Sequence, residues 1–374
     1  MGNKMKSKHT IAFIGGRGLF SSYGGVENAT REIAKELSKR EDVAVNVYSV
    51  EGENDEVFAY SDNLNVIAIN RSIYKSLGQH GYILACVLHA LFKLRPNAVF
   101  LFASGPCVFA PILRLGGIRV ISSIRGMDSA RDKWGRLSRN ILKLGEYCAW
   151  KFSHQFTANS KKIVENFSKK RPDSHFIPNG CRAVTDADCA SLDKYKVERN
   201  GYLLFAARLD PIKRLHLLLE VHRQLPNDQK LPLIIAGGNS NDMEYEAKLK
   251  QYENDEKVMF IGHISSSELA PLMKHCRAFI LPSVIEGMSN SLLSAMANGK
   301  AIIAADIEEN RDVVELDDAL FEKDSFEQLQ ISVARVSTNA DFCQQLGEKL
   351  AVLAHEKYSW ENTAERFLEL SRVG

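Results

Sequence analysis

Apolar residues in this chain fall into short continuous runs, each followed by a stretch in which they recur at helical spacing. The first half reads TIAFIG, the helical ENATREIAKELSKR, VAVNVYS, and later AVFLFAS, RVISSI and SHQFTA, with a helical segment between successive runs. Runs that stay apolar at every position suit strands buried on both faces, and their alternation with amphipathic helices predicts a parallel sheet covered on both sides. Around SHFIPNGCRAVTDADCASLDKYKVERNG the pattern breaks into polar, turn-rich sequence, then resumes with YLLFAAR, LPLIIAGG, KVMFIG, RAFILPS and AIIAAD. A domain boundary is therefore expected near residues 180 to 200, separating two α/β doubly wound domains. The chain closes on helical patterns, SFEQLQISVARVSTNADFCQQLGEKLAVLAHEKY and SWENTAERFLELSRV. Ligands of such sheets bind outside the carboxyl ends of the strands, so the loops after the strands, and a cleft between the domains, are where chemistry is expected.

Composition keeps this picture and adds a charge asymmetry. With 374 residues, 45% hydrophobic and 25% charged, the chain has the makeup of an ordinary globular protein with two cores. Seven cysteines, scattered and without a close metal-ligand pair, suit a reducing compartment and predict a cytoplasmic protein. The opening MGNKMKSKHTIAFIGG lacks the apolar core of a signal peptide, and YILACVLHALFKL (Tyr82 to Leu94) falls short of the ~20 residues of a membrane span. Net charge is only +2, yet residues 1–183 carry 27 Lys+Arg against 15 Asp+Glu, and the rest of the chain carries 21 against 31. A basic first half facing an acidic second half points to a polyanionic partner for the first. Its segment from Arg131 to Phe152, RDKWGRLSRNILKLGEYCAWKF, alternates basic and apolar residues at helical spacing. It reads either as a peripheral helix on an anionic membrane surface or as a core-packed helix with a solvated basic face. Without aromatic interleaving or a known module, nucleic acid is not an expected partner.

Three loops carry candidate chemistry. GGRGLFSSYGGVENATREIA places Gly15, Gly16, Gly18, Gly24 and Gly25 between the first strand and a helix, so backbone N–H groups can approach a phosphate or sugar; a plain tight turn explains it equally well. FAARLDPIKRLHLLLEVHR puts Arg208 at a strand end and Lys213 at a helix start, where the two cations can clamp a diphosphate, Arg208 through a bidentate fork and Lys213 as a point charge. VIEGMSNSLLSAMANGKAIIAAD opens with Glu286 and follows it with Ser289, Asn290 and Ser291 at the start of another helix. A helix N-terminus favours an anion, so a carboxylate in front of it suits a ligand with both a phosphate and sugar hydroxyls. The simpler alternative is a Ser or Asn cap with Glu286 on the surface. The aspartates of DAD, Asp186 and Asp188, resemble a metal-chelating pair but fall in the expected linker.

Taken together, YGGVE, RGMDSARDKW, FIPNG, ARLDPIK and LPSVIEGMSNSLLSAMANGKAIIAAD resemble the family 4 retaining glycosyltransferases of the GT-B fold, over nearly the whole chain. That resemblance implies two Rossmann-like parallel-sheet domains facing a cleft. It assigns residues 1–183 to an acceptor domain, 184–199 to a linker and 200–356 to a nucleotide-sugar donor domain, with a last helix, 357–374, crossing back to the first domain. It further implies that Arg208 and Lys213 bind the donor diphosphate and that Glu286 holds sugar hydroxyls. Gly287, Met288, Ser289, Asn290, Ser291 and Leu292 would offer backbone to sugar and phosphates, and Gly24 and Gly25 would close on the donor. Arg125 and Asp128 would lie on the side of the transferred sugar or acceptor. Two positions depart from the family pattern. Ser294 stands where a second glutamate usually grips the ribose, and Arg125 stands where a histidine is common. Arg125 is open to two readings, a partner for a phosphate or an acidic acceptor, or a structural cation.

The expected function is therefore a retaining glycosyltransferase that moves a sugar from a nucleotide-diphosphate donor, a UDP-sugar first, to the hydroxyl of a saccharide or lipid-linked saccharide in surface-polysaccharide assembly. No cofactor besides the donor is expected, and the resemblance implies no metal, since GT-B enzymes usually neutralise the leaving diphosphate with side chains and helix dipoles. The rivals are a non-catalytic GT-B relative acting as a binding or scaffold partner, and a GT-B nucleotide-sugar epimerase.

Overall fold

The computed structural model describes residues 8–16, 24–52, 61–126, 135–185, 190–238 and 242–372. It divides into two units, Met1–Gly180 with Trp360–Gly374, and Cys181–Ser359. Unit 1 runs β1 (His9–Ile14), α1 (Gly25–Ser38), β2 (Val43–Val50), β3 (Leu64–Ile69), α2 (Arg71–His89), β4 (Ala98–Phe102), α3 (Ala110–Leu115), β5 (Arg119–Ile124), α4 (Arg136–Phe152), β6 (Gln155–Ala158), α5 (Lys161–Ser168) and β7 (Ser174–Phe176). Unit 2 runs α6 (Ala190–Lys194), β8 (Leu203–Ala206), α7 (Leu215–Gln224), β9 (Leu233–Ala236), α8 (Met243–Leu249), β10 (Val258–Gly262), α9 (Ser266–His275), β11 (Ala278–Leu281), α10 (Asn290–Ala297), β12 (Ala301–Asp306), α11 (Glu308–Val314), β13 (Leu320–Glu322), α12 (Phe326–Thr338) and α13 (Ala340–Lys357). The last helix, α14 (Trp360–Arg372), returns to unit 1.

Both sheets are parallel throughout, seven strands in the order β3-β2-β1-β4-β5-β6-β7 and six in the order β10-β9-β8-β11-β12-β13. The continuous apolar runs explain why: every residue of AVFLF in β4 and AFIL in β11 is buried, which only a sheet covered on both faces permits. In unit 1 the alternation along each strand sorts two cores. Ala12 and Ile14 of β1 face a layer made by α2, α3, α4 and α5, whereas Ile11 and Phe13 face α1 and α14. Helix α14 docks through Trp360, Ala364, Phe367 and Leu368, and the Phe367 ring meets Phe100 edge-on at 5.4 Å. Gly180 admits this contact, since a Cβ there would lie 2.3 Å from the Trp360 backbone nitrogen.

The structure redraws some expected boundaries. The returning helix starts at Trp360, because α13 runs on to Lys357 before the chain turns. The segment 184–199 belongs to unit 2 as far as it is described. There the Val184 N–H donates to Asn298 Oδ1 at 2.9 Å, and Lys194 on α6 pairs with Glu268 on α9 at 3.2 Å. Asp186 and Asp188 lie outside the described residues.

Candidate functional site: the strand ends of the second unit

In unit 2 the loops after β8 and β11 sit side by side because those strands are neighbours. Backbone ties them together, the Val284 N–H donating to the Ile212 carbonyl at 2.9 Å. Arg208 lies two residues beyond β8, and Lys213 ends a 3-10 turn, Pro211–Lys213, capped by Asp210, whose carboxylate accepts from Ile212 N–H at 3.3 Å. Lys213 is thus one turn ahead of α7, which begins only after Arg214 adopts a left-handed φ of 53°. That conformation is uncommon for a residue with a side chain and kinks the chain between turn and helix.

The result is an ion pair between the two loops. Lys213 Nζ meets Glu286 Oε1 at 2.5 Å, with side chains only 13% and 8% exposed, so the pair is largely withdrawn from water. A partly buried pair is screened less than a surface one and holds its geometry more firmly. Arg214 is matched by Asp324 at 2.9 Å. Arg208, by contrast, has no side-chain partner among the described residues and is only partly buried. The loop after β8 thus carries one cation held by a carboxylate and one without a side-chain partner among the described residues.

Glu286 leads into α10, where Gly287 and Met288 precede Ser289, the helix cap. The Ser289 hydroxyl accepts from the Leu292 N–H at 3.3 Å, so the cap reading of this serine holds and one helix-start donor is already matched. Asn290 and Ser291 form the first turn, and Ser294 lies one turn further, partly exposed. Its carbonyl accepts from the Asn298 side chain at 2.8 Å, the same side chain that receives Val184 N–H. Two contributors escaped the sequence reading. Gly237, after β9, permits close packing, since a Cβ there would lie 2.1 Å from the Ala207 carbonyl; its signal was the Gly-Gly pair closing LPLIIAGG. Asp210 left its signal in the Asp-Pro step of ARLDPIK.

The remaining candidates belong to unit 1 and are gathered at its own strand ends. Gly24 is extended (φ −175°) and precedes Gly25, the first residue of α1. The Glu27 carboxylate folds over this turn: a Cβ on Gly16 or Gly24 would sit 2.8 or 3.1 Å from its oxygens. An acid in the first turn favours the helix dipole, so α1 already has its own anion. Arg125 follows β5, donates through Nη1 to Asn179 Oδ1, and lies over the rings of Phe102 and Phe367 at 4.8 and 5.8 Å. Its Nε and Nη2 are buried without a hydrogen-bond partner among the described residues. Burial pushes the guanidinium below its usual pKa, although arginine is basic enough to stay charged. Asp128 lies outside the described residues.

No group of three His, Cys, Asp or Glu among the described residues is placed to hold a metal ion. No described helix is long and apolar enough to cross a membrane.

Two family models divide the chain much as the sheets do. The one described as Glycosyltransferase Family 4 matches residues 23–183, and the one described as Glycosyl transferases group 1 matches residues 192–351. The chain belongs to the family 4 glycosyltransferases. This glycosyltransferase is 22% identical over 244 residues to O-antigen chain mannosyltransferase B of Escherichia coli, covering 64% of the chain and 62% of that relative. It is 29% identical over 153 residues to a Campylobacter jejuni enzyme named N-acetylgalactosamine-N,N'-diacetylbacillosaminyl-diphospho-undecaprenol 4-alpha-N-acetylgalactosaminyltransferase, covering 40% of the chain and 39% of the relative. These matches span less than two thirds of either relative. Among solved structures, sucrose-phosphate synthase of Thermosynechococcus elongatus superposes with a TM-score of 0.80 at 17% identity, covering 98% of each chain. Anabaena HepE in complex with UDP-glucose gives a TM-score of 0.78 at 17% identity, covering 96% of this glycosyltransferase and 98% of HepE. The fold is accordingly GT-B, with two Rossmann-like parallel-sheet units.

Proposed function

We propose that this glycosyltransferase transfers a sugar, with retention of anomeric configuration, from a nucleotide-diphosphate donor to the hydroxyl of a lipid-linked saccharide in surface-polysaccharide assembly. The observation that carries the reading is the Lys213–Glu286 pair at the strand ends of unit 2, on a loop that also carries Arg208. A donor with a diphosphate at one end and sugar hydroxyls at the other suits such a site: Arg208 and Lys213 neutralise the phosphates, and Glu286 accepts from the hydroxyls. Gly287 to Leu292 supply backbone, and Ser294 offers the ribose one hydrogen bond. The names of the relatives, an O-antigen mannosyltransferase and a transferase acting on a diphospho-undecaprenol saccharide, support the pathway. The UDP-glucose complex of HepE supports a uridine donor.

In the reaction the bond from the anomeric carbon to the diphosphate oxygen breaks, and the acceptor oxygen bonds to that carbon on the same face. The acceptor's proton passes to the departing diphosphate. Charge develops on the leaving group and on the sugar ring, so positioned cations and a carboxylate matter more than a strong base. The test is a thermal-shift panel of nucleotide sugars, followed by transfer to a lipid-linked acceptor with the donor that stabilises the protein. One class of donor should raise the melting temperature and yield a product with the donor's anomeric configuration. An inverted product would reject retention, and no response to any nucleotide sugar would reject the donor site.

A further inference from the structure

One surface of unit 1 is left without a partner by the fold. Helices α2, α3, α4 and α5 form the layer on one side of its sheet, with inner faces supplied by residues such as Tyr82, Cys86 and Val87 of α2. The outer faces should then be polar. They are not. On α2 and the π-helical turn that continues it, Leu84, Leu88 and Phe92 recur four residues apart and are exposed, Phe92 by 72%. Leu77, ahead of the interruption of α2 at Gly78, is exposed too and folds against Gly81, where a Cβ would meet the Leu77 Cβ at 2.2 Å.

The row continues onto the neighbouring helices. Gly116, just past α3, lies against Leu91, and beside it Leu115 is 89% exposed. Arg114 of α3 donates to the Phe152 carbonyl at the end of α4 at 3.0 Å. The outward face of α4 then alternates Arg136, Leu137, Lys143, Leu144, Tyr147 and Lys151, all exposed. Unit 2 behaves differently: its exposed large apolar residues among those described, Met243, Ile285, Ile331 and Val352, sit on four separate segments.

Charge decides what covers this face. Of the Lys and Arg residues between Asp62 and Asp128, Arg71, Lys75, Lys93, Arg95 and Arg114 are exposed, no Asp or Glu lies in that stretch, and the single acid of α4, Glu146, is buried. Protein interfaces are depleted in lysine, whereas this face exposes Lys75, Lys93, Lys143 and Lys151. Apolar side chains flanked by basic ones match an anionic interface, where hydrocarbon takes the first and headgroups the second. We propose that the outer face of α2, α3 and α4 docks unit 1 onto an anionic lipid bilayer, with Leu88, Phe92, Leu115 and Leu144 entering the headgroup region. This surface is broader than the basic helical segment 131–152 singled out in the sequence, and it does not depend on how the donor is held.

The test is co-sedimentation of the full chain with vesicles of phosphatidylcholine containing 30–40% phosphatidylglycerol, against pure phosphatidylcholine vesicles. The anionic vesicles should bind it, and raised salt should weaken the binding. A Phe92→Ser, Leu115→Ser double variant, checked for native circular dichroism, should bind roughly tenfold more weakly or worse. Lys93→Gln and Lys143→Gln should each weaken binding about fivefold to anionic vesicles while leaving the weak affinity for phosphatidylcholine alone. Failure of the wild type to bind anionic vesicles, or binding indifferent to both sets of variants, overturns the proposal. Sedimentation as a dimer that the Phe92, Leu115 variant dissolves, without vesicle binding, would assign the face to a second copy instead.

Discussion

The carboxyl ends of the two sheets are built alike and charged differently. In unit 2 the two cations just ahead of α7 each have a carboxylate opposite, Lys213 with Glu286 and Arg214 with Asp324, and the same loop carries Arg208. In unit 1 the order is reversed. The helix start carries its own acid, Glu27, while Arg125 is buried over two phenylalanine rings with two nitrogens unpartnered among the described residues. A paired cation can be transferred to a ligand phosphate at little cost, because its carboxylate can turn to the same ligand's hydroxyls. An unpaired buried cation is held in place by packing and gains only if a ligand anion reaches it.

That contrast can be broken at either end. Outside the Lys213–Glu286 pair, Arg208→Ala should have the largest effect, a loss on the order of 10²–10³ in turnover, since it removes a charge from the departing diphosphate. Steady-state kinetics would check this, and a change confined to KM would assign Arg208 to ground-state binding alone. Arg125→Met addresses unit 1. If the guanidinium serves a ligand, turnover should fall about tenfold while the melting temperature stays level or rises, because an unpaired buried charge adds little stability. A lower melting temperature with unchanged turnover would make Arg125 a structural cation. Asn298→Ala should lower stability by about 1 kcal/mol in denaturant titration, because it leaves the Val184 N–H without its acceptor and the Ser294 carbonyl with only the backbone N–H of residue 298. The smallest change is expected from Ser294→Glu, a tightening of nucleotide binding of about fivefold in calorimetry if the ribose lies over α10. An unchanged affinity would place the ribose elsewhere.

Much of this architecture is legible in the sequence alone. Runs such as AVFLF and AIIAAD announce buried parallel strands because nothing in them can face water. The strands that went unannounced, β3, β7 and β13, are edge strands, and the last two are three residues long. Short edge strands lack the burial that writes a pattern into sequence. The long terminal helical pattern proved to be two helices, α12 and α13, divided at Asn339, whose side chain caps the second by accepting from Phe342 at 2.9 Å. At the site, Arg208, Lys213 and Glu286 could each be singled out from local sequence, but their geometry could not. The partners Lys213 and Glu286 are 73 residues apart and meet only because β8 and β11 are neighbours. The stacking of Arg125 on Phe102 and Phe367 was invisible for the same reason, since α14 reaches it only after the whole of unit 2.

The central claim is that Lys213, poised by Glu286, carries the leaving diphosphate. Its most direct test is single-turnover transfer with the Lys213→Ala variant at saturating donor, alongside circular dichroism of the same sample. The account predicts native spectra with transfer reduced to background. Full transfer in a correctly folded Lys213→Ala protein would contradict it.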